Sequence, residues 1–222
     1  MSSGSWRGPR KNPKLYWMLY ALAWLAMAAP LFWDLWHGQT GDSFAREQAN
    51  VDMGRWGWRF LLLALAIRPT AQVMGRPQLL RYRRLVALFA FAYTLAHSLD
   101  YLIYAHFWQI PFRVWQRRLY LWVGIAGTLM TLPLAVTSLD GVRHRMGPIA
   151  WRRLHVSVYA VGLLTMWHAL WEQAQDYSQS IVCSVLLLLL LAVRLPWGQR
   201  LLAKVQLPRS AKVTGNTSWR AS

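Results

Sequence analysis

The chain has 222 residues, of which 55% are hydrophobic and 15% are charged, and its formal net charge at pH 7 is +17. A typical soluble domain carries about 25% charged residues, so this composition excludes an ordinary soluble enzyme. The basic charge alone would suit a nucleic-acid-binding protein. Here, however, the Lys and Arg residues lie between long apolar runs, which is typical of loops at an anionic membrane surface. We therefore expect contact with membrane lipids and no nucleic acid.

Six apolar runs predict an all-α, polytopic bundle of six transmembrane helices, because each is near the ~20 residues that cross the hydrocarbon. The predicted spans are 15–36, 54–68, 84–106, 117–137, 154–172 and 179–195. The second span is the weakest, since Arg59 interrupts it and Pro69 ends it. The predicted division is a cytoplasmic N-terminal segment (1–14), the transmembrane domain (15–205) and a disordered cytoplasmic tail (206–222).

The distribution of basic residues predicts the orientation of the chain. Most Lys and Arg residues lie on the side that holds both termini, in the terminal segments and in the loops 68–84 and 140–153. Loops rich in Lys and Arg face the cytoplasm in most membrane proteins, so both termini are predicted to be cytoplasmic. The single cysteine, Cys183, excludes a disulfide framework and an iron–sulfur cluster within the chain.

Two of the six histidines are predicted to lie inside the membrane at one depth. His97 in the third span and His168 in the fifth lie equally far from the inner end of their span, roughly 20 Å along the helix. Ionisable side chains are costly in the hydrocarbon and usually functional there. Two imidazoles at one depth on two helices can be the axial ligands of one haem iron. Spacing alone leaves a hydrogen-bonded pair, such as a proton relay, as the alternative.

A third histidine, His155, lies at the inner end of the fifth span. Helical geometry places its partner for a second haem near Arg83 and Arg84, and arginine cannot ligate iron. A second haem would therefore need another ligand, such as His144 in the inner loop. His155 and His168 would point roughly 140° apart on an ideal helix. If both face one interior, the helix is irregular between them or His155 lies in a frayed first turn.

The other polar candidates lie near the membrane surfaces. His37, His106 and His144 are predicted to be interfacial and solvated. An inner basic cluster consists of Arg81, Arg83, Arg84, Arg152 and Arg153. Positive-inside topology accounts for this cluster, and the functional alternative is docking of an acidic electron donor or binding of haem propionates or a flavin phosphate. We find no Gly-rich dinucleotide fingerprint, so electrons are expected to arrive from another protein or a quinone rather than through a Rossmann module.

Two stretches, 76–102 and 123–171, carry a resemblance to a known family. They contain RRL followed by a histidine in the third span, LPLAVTS at the end of the fourth, and WRRLH followed by HALW in the fifth. Together with MGRWGWRFLLLALAIRP at 53–69, these motifs resemble the haem-binding membrane subunits of the periplasmic methionine-sulfoxide reductase system, the MsrQ/YedZ family. That family belongs to the ferric-reductase-like transmembrane domains, and the resemblance covers about two-thirds of the chain.

The resemblance implies a six-helix domain that binds haem b and can bind FMN. It leaves open whether a second haem is bound. The family's three histidines map onto His97, His155 and His168. The family takes electrons from a cytoplasmic flavin reductase or the quinone pool. It passes them across the bacterial inner membrane to a periplasmic molybdenum-cofactor subunit, which reduces methionine sulfoxide in proteins and so repairs them. The chain would then be an electron-transfer subunit of an oxidoreductase system rather than its catalytic subunit.

The chain also departs from the family pattern. Leu119-Tyr120 stands where the family usually has Pro-Tyr, and Ala169 stands where it often has Tyr. These two departures leave open whether the partner is the usual reductase. The wider superfamily has a further histidine early in the third span, where this chain has arginine, which agrees with the geometric argument against a symmetric pair of haems. The alternative functions are a ferric or quinone reductase-type cytochrome and a cofactor-poor structural subunit of a larger membrane complex.

Overall fold

A computed structural model describes residues 13–104, 118–172 and 177–205, and every regular element in these ranges is helical. The helices are α1 (Pro13–Thr40), α2 (Ser43–Val73), a 3₁₀ helix (Pro77–Arg81), α3 (Tyr82–Tyr104), α4 (Leu119–Val136), α5 (Asp140–Met146), α6 (Pro148–His155), α7 (Val158–Trp171), α8 (Tyr177–Ala192) and α9 (Pro196–Val205). His106 and the predicted tail 206–222 lie outside the described residues, as does most of the predicted N-terminal segment.

Several helices have the length and apolar character of membrane spans. Three segments in the described ranges qualify, namely Pro77–Ile103, Leu119–Val136 and Pro148–Trp171. Tyr177–Ala192 and Pro196–Leu202 make a fourth if they are counted as one span, although they are bent by 89°. In the ranges that the structure describes, the chain is therefore all-helical with several membrane-spanning helices, and the count of six spans stays a prediction.

The second helix is much longer than the predicted span 54–68. Asp42 caps its N-terminus, because its Oδ1 accepts a hydrogen bond from the backbone nitrogen of Ala45 at 2.9 Å. The polar run 43–53, which hydropathy assigns to an outer loop, is therefore the first part of α2. As a result, α2 brings polar backbone and side chains to the level of His97.

Pro69 lies inside α2, so the prediction that it ends the second span is wrong. A proline in a helix lacks the N–H that would bond to the carbonyl four residues earlier, here that of Leu65. The guanidinium of Arg194 supplies the missing donor, because its Nη2 donates to Leu65 O at 2.7 Å. The same guanidinium donates to the hydroxyl of Tyr159. A side chain distant in sequence thus stabilises the proline-containing turn.

The core is centred on α2, which packs mainly against α3, while α4 packs mainly against α7. Met53 and Leu65 of α2, Tyr93 of α3 and Leu187 of α8 are almost completely buried. The hydroxyl of Tyr93 donates to Met27 O at 2.9 Å, which attaches α3 to α1. These contacts define two helix pairs, α2–α3 and α4–α7, and the space between the pairs contains the candidate site.

The chain is irregular between His155 and His168. The sequence predicts either this irregularity or a frayed first turn at His155 if both histidines face one interior. The helix α6 ends at His155 and α7 begins at Val158. At the break the backbone nitrogen of Ser157 donates to Leu154 O at 3.0 Å, a three-residue spacing that tightens the turn. This break changes the rotation of the chain, so that His155 and His168 both face the same interior space.

Candidate functional site

A cavity of about 670 Å³ runs between the α2–α3 and α4–α7 pairs. Ligand sites in proteins usually measure about 300–1,000 Å³, so the cavity has the volume of a cofactor site. His97 and His168 line one part of it, and His155, Arg83 and Arg84 line another. Roughly 20 Å of helix separates Arg83 from His97 on α3, so these two groups of residues form distinct ends of the cavity.

At the first end, each histidine is held by a backbone carbonyl of the neighbouring helix. The Nδ1 of His97 lies 2.9 Å from Asn50 O on α2, and the Nδ1 of His168 lies 2.8 Å from Tyr120 O on α4. A carbonyl oxygen can only accept a hydrogen bond, so each Nδ1 carries the hydrogen. In a neutral imidazole this leaves a lone pair on Nε2, which is the usual state of a metal-binding histidine.

The two rings are close enough to hold one metal ion between them. Their centroids are 6.2 Å apart and their planes are inclined by 72°. A metal–imidazole nitrogen bond is about 2.0 Å long and the ring centroid lies roughly 1 Å farther, so two axial imidazoles on one ion have centroids roughly 6 Å apart. The Nε2 of His168 also lies 3.6 Å from Glu172 Oε2, which places a carboxylate beside the pair.

The donor set suits a metal that arrives with most of its own ligands. In the described ranges no group of three or more His, Cys, Asp or Glu side chains is arranged to hold a bare metal ion. His97 and His168, two imidazoles 6.2 Å apart in a largely apolar cavity, would instead hold a haem, whose porphyrin would supply the other ligands of the iron. The residues at this end of the cavity therefore fit a haem.

The second end is basic and aromatic. His155 stacks on Trp151 with ring centroids 4.0 Å apart, and its Nε2 lies 3.2 Å from Thr137 Oγ1. Arg84 lines the cavity and also forms an exposed ion pair with Asp140 at 2.6 Å. Two further arginines, Arg68 and Arg143, line the cavity. Concentrated cationic side chains beside an aromatic stack can bind an anionic group such as a phosphate or a propionate.

The structure does not bring every candidate from the sequence into the cavity. Arg153 is exposed on the surface of α6 and does not line this cavity, and its assignment as a cofactor contact stays a prediction. Its position follows from helical phase, because the face of α6 that presents His155 to the cavity turns Arg153 away. His144 is exposed, lies 2.6 Å from Asp140 O through its Nδ1, and does not meet His155. His37 is also exposed, and its predicted place at the membrane surface stays a prediction.

Sequence reasoning missed the residues that orient the histidines. Asn50 lies between the first two predicted spans, and Tyr120 contributes a backbone atom rather than a side chain. The side-chain Nδ2 of Asn50 also donates to His97 O at 2.9 Å and to Asp100 Oδ2 at 2.8 Å. An asparagine followed by a predicted apolar span is a weak signal, because nothing local identifies the helix that it will contact.

Comparison with known proteins shows the family to which the chain is similar. The family described as "Ferric reductase like transmembrane component" matches residues 53–166. A protein of Caulobacter vibrioides is 37% identical over 191 residues, which is 84% of this chain and 91% of that protein. It is named protein-methionine-sulfoxide reductase heme-binding subunit MsrQ.

Two Xanthomonas proteins with the same name are similar over most of their length. The one from Xanthomonas euvesicatoria is 35% identical over 178 residues, which is 78% of this chain and 81% of that protein. The one from Xanthomonas oryzae is 34% identical over 195 residues, which is 86% of this chain and 88% of that protein. The helical architecture, the matched residues and these relatives together show that the chain belongs to the MsrQ family of ferric-reductase-like transmembrane proteins.

Proposed function

We propose that the chain is the haem-binding subunit of a protein-methionine-sulfoxide reductase system, and that it holds one haem b between His97 and His168. The observation that carries this proposal is the pair of carbonyl-anchored imidazoles, 6.2 Å apart in a cavity of about 670 Å³. The relatives from Caulobacter and Xanthomonas are named as heme-binding subunits of the same system, which supports the same cofactor here.

The protein residues at this end perform two tasks. The carbonyls of Asn50 and Tyr120 hold each ring in the tautomer that presents a lone pair on Nε2. The second task is to provide an apolar wall, since buried residues such as Leu121 line the same cavity. A bound haem would supply reversible one-electron chemistry at its iron. The chain then acts in electron transfer, and a separate subunit carries out the reduction of methionine sulfoxide.

The basic end of the cavity is proposed as the entry side for electrons. Arg83 and Arg84 are the candidate contacts for an anionic group, either the phosphate of FMN or the propionates of a second haem. A second haem at this end would take His155 as its ligand, after the ring gives up its contact with Thr137. The donor is proposed to be a cytoplasmic flavin reductase or a quinone.

The proposed topology follows from the charge distribution of the sequence. Six transmembrane helices within 15–205 and cytoplasmic termini in the bacterial inner membrane place the basic end of the cavity on the cytoplasmic side. The His97–His168 pair then lies toward the periplasm. A periplasmic molybdenum-cofactor subunit that reduces methionine sulfoxide in proteins is the proposed electron acceptor.

The haem assignment is tested by absorption spectra of the purified full chain. The dithionite-reduced minus oxidised spectrum is expected to show the α band of a b-type cytochrome, and H97A or H168A is expected to abolish it. H144A is the matched control, because His144 is an exposed histidine outside the cavity. An unchanged spectrum in both cavity variants would overturn the assignment. A purified chain without Soret absorbance would favour the cofactor-poor structural subunit.

A ferric or quinone reductase-type cytochrome is the second candidate function. The match of residues 53–166 to the ferric-reductase-like family favours it, because that match does not depend on a methionine-sulfoxide reductase partner. The two functions are separated by steady-state assays of the reconstituted chain. Sustained reduction of ferric chelates or quinone without any periplasmic subunit would support the second candidate. Turnover that requires the molybdenum-cofactor subunit would support the first.

A further inference from the structure

Each candidate ligand ring lies against a glycine of the neighbouring helix. A Cβ added to Gly54 of α2 would lie 3.1 Å from His97 Nδ1 and 3.2 Å from its Cε1. A Cβ added to Gly124 of α4 would lie 2.9 Å from both Nδ1 and Cε1 of His168, closer than real Cβ atoms approach other atoms. Both rings therefore occupy space that a side chain at these positions would fill.

The location of each glycine follows from the hydrogen bond that the ring makes. His97 donates to the carbonyl of Asn50, and Gly54 lies four residues later on the same helix. In an α-helix the Cα–Cβ bond tilts toward the N-terminus, so the Cβ of a residue leans over the carbonyl four residues earlier. A ring that donates to this carbonyl must pass beneath that Cβ. Glycine leaves the passage open because it has no Cβ.

The second pair of helices repeats this arrangement. His168 donates to Tyr120 O, and Gly124 again lies four residues after the carbonyl. The histidine follows the carbonyl by 47 residues in the first case and by 48 in the second. A threonine also precedes each histidine by three residues, and its hydroxyl donates to the carbonyl one turn back, at 2.8 Å for Thr94 and 2.9 Å for Thr165. The α2–α3 and α4–α7 pairs thus share one local design.

We propose that Gly54 and Gly124 are positioning residues that fix the rotation of the two ligand rings. Each glycine lets the ring reach the carbonyl with Nδ1, which directs Nε2 toward the space between the helix pairs. The two glycines together set the 72° angle between the ring planes. This inference rests on the proposed function, because it assigns a role toward the haem that the two histidines would share.

The angle between axial ring planes provides a direct readout. In a low-spin ferric haem with two imidazole ligands, the anisotropy of the EPR g values depends on the angle between the imidazole planes. Steeply inclined planes give a strongly anisotropic signal with a large maximum g value. The purified wild-type chain is therefore expected to show such a signal, and a change in ring rotation is expected to shift it. A glycine that served helix packing alone would leave the g values unchanged.

The experiment compares G54A and G124A with the wild-type chain, purified at full length in detergent. G124A is expected to convert much of the haem to a high-spin form that binds carbon monoxide when reduced. Its haem affinity is expected to fall by about 10–100-fold, the usual effect of disturbing the residues that orient a metal ligand. G54A is expected to shift the g values with a smaller loss of haem, because its Cβ contacts are longer.

G127A is the matched control on α4. The Cβ added at Gly127 would meet Leu164 Cβ at 3.8 Å, an ordinary contact, so the same substitution one turn away is expected to keep the wild-type spectrum. If G124A does not accumulate as folded protein, G54A carries the test, because there the neighbouring ring needs to move by only a few tenths of an ångström.

Two different failures can be distinguished. Wild-type g values in both G54A and G124A, in a chain whose low-spin signal is lost in H97A and H168A, would overturn the positioning role and leave the haem assignment intact. A wild-type chain without haem, or a low-spin signal that survives both histidine variants, would instead overturn the proposed function.

Discussion

Thr137 and His155 are joined by a 3.2 Å contact between Oγ1 and Nε2 at the basic end of the cavity. The threonine hydroxyl donates its hydrogen to Pro133 O at 2.6 Å, so it can only accept from the histidine. The hydrogen of neutral His155 therefore lies on Nε2. His97 has the opposite tautomer, because its Nδ1 is the donor. The third histidine is thus held differently from the pair that is proposed to ligate haem.

The first prediction concerns His155. H155A is expected to retain the low-spin EPR signal that is assigned to His97 and His168, because His155 lies at the other end of the cavity. EPR spectra of the oxidised protein measure the outcome, and H168A is the positive control. Loss of the same low-spin signal in H155A would contradict the separation of the two ends. Haem-to-protein stoichiometry measured on the same samples shows whether His155 holds a second haem.

The second prediction concerns the arginine that supports the proline-containing turn of α2. R194L is expected to lower the free energy of unfolding by about 1–3 kcal/mol, because it leaves the carbonyl of Leu65 without its donor. P69A restores a backbone N–H four residues after Leu65, so R194L is expected to cost less in the P69A background. Thermal unfolding in detergent of the double-mutant cycle measures this coupling. Equal costs in both backgrounds would contradict the proposed compensation.

The third prediction concerns the side chain that ties α2 to α3 beside His97. N50A is expected to lower stability by about 1–3 kcal/mol, because the Asn50 Nδ2 donates to both His97 O and Asp100 Oδ2. Q48A is the control, since Gln48 makes a longer contact, 3.2 Å, to Asp52 within its own helix. Thermal unfolding in detergent compares the two variants. Equal losses of stability in N50A and Q48A would contradict a stabilising contribution from the link between α2 and α3.

The fourth prediction tests the basic end of the cavity as an anion site. R84Q is expected to slow reduction of the chain by reduced FMN by about 10-fold, the effect of losing one charge-assisted hydrogen bond to a phosphate. Reduction by reduced riboflavin, which lacks the phosphate, is expected to change little. R153Q is the matched control, because Arg153 is an exposed arginine outside the cavity. Stopped-flow absorbance measures the rates, and equal slowing with both flavins would contradict a phosphate contact.

The stability of R84Q is expected to stay close to that of the wild type. Arg84 and Asp140 form an ion pair whose side chains are 42% and 68% exposed, and such pairs contribute roughly 0–1 kcal/mol. A change in flavin kinetics without a change in the thermal midpoint would therefore separate binding from folding at this position.

Composition and helical spacing predict a helical membrane protein and indicate His97 and His168 as candidate haem ligands. Long apolar runs can only be stabilised by burial in lipid or in a large core, so they predict a helical membrane protein. Equal distance along two helices was enough to place His97 and His168 at one depth, because the helical rise is nearly constant. The same regularity showed that the chain had to be irregular between His155 and His168, or frayed at His155, if both were to face one interior, and the break after His155 provides this.

The groups that surround those histidines become visible only in the packed helices. Hydropathy assigned the residues around Asn50 to a loop, because polarity alone does not distinguish a solvated loop from a capped helix that reaches a polar site. Hydropathy also does not distinguish Arg84, which lines the cavity, from Arg153, which does not. The direction in which Arg153 points depends on the rotation of its helix, which begins after Gly147. The carbonyls and glycines that orient the rings are recognisable only when two helices distant in sequence are seen in contact.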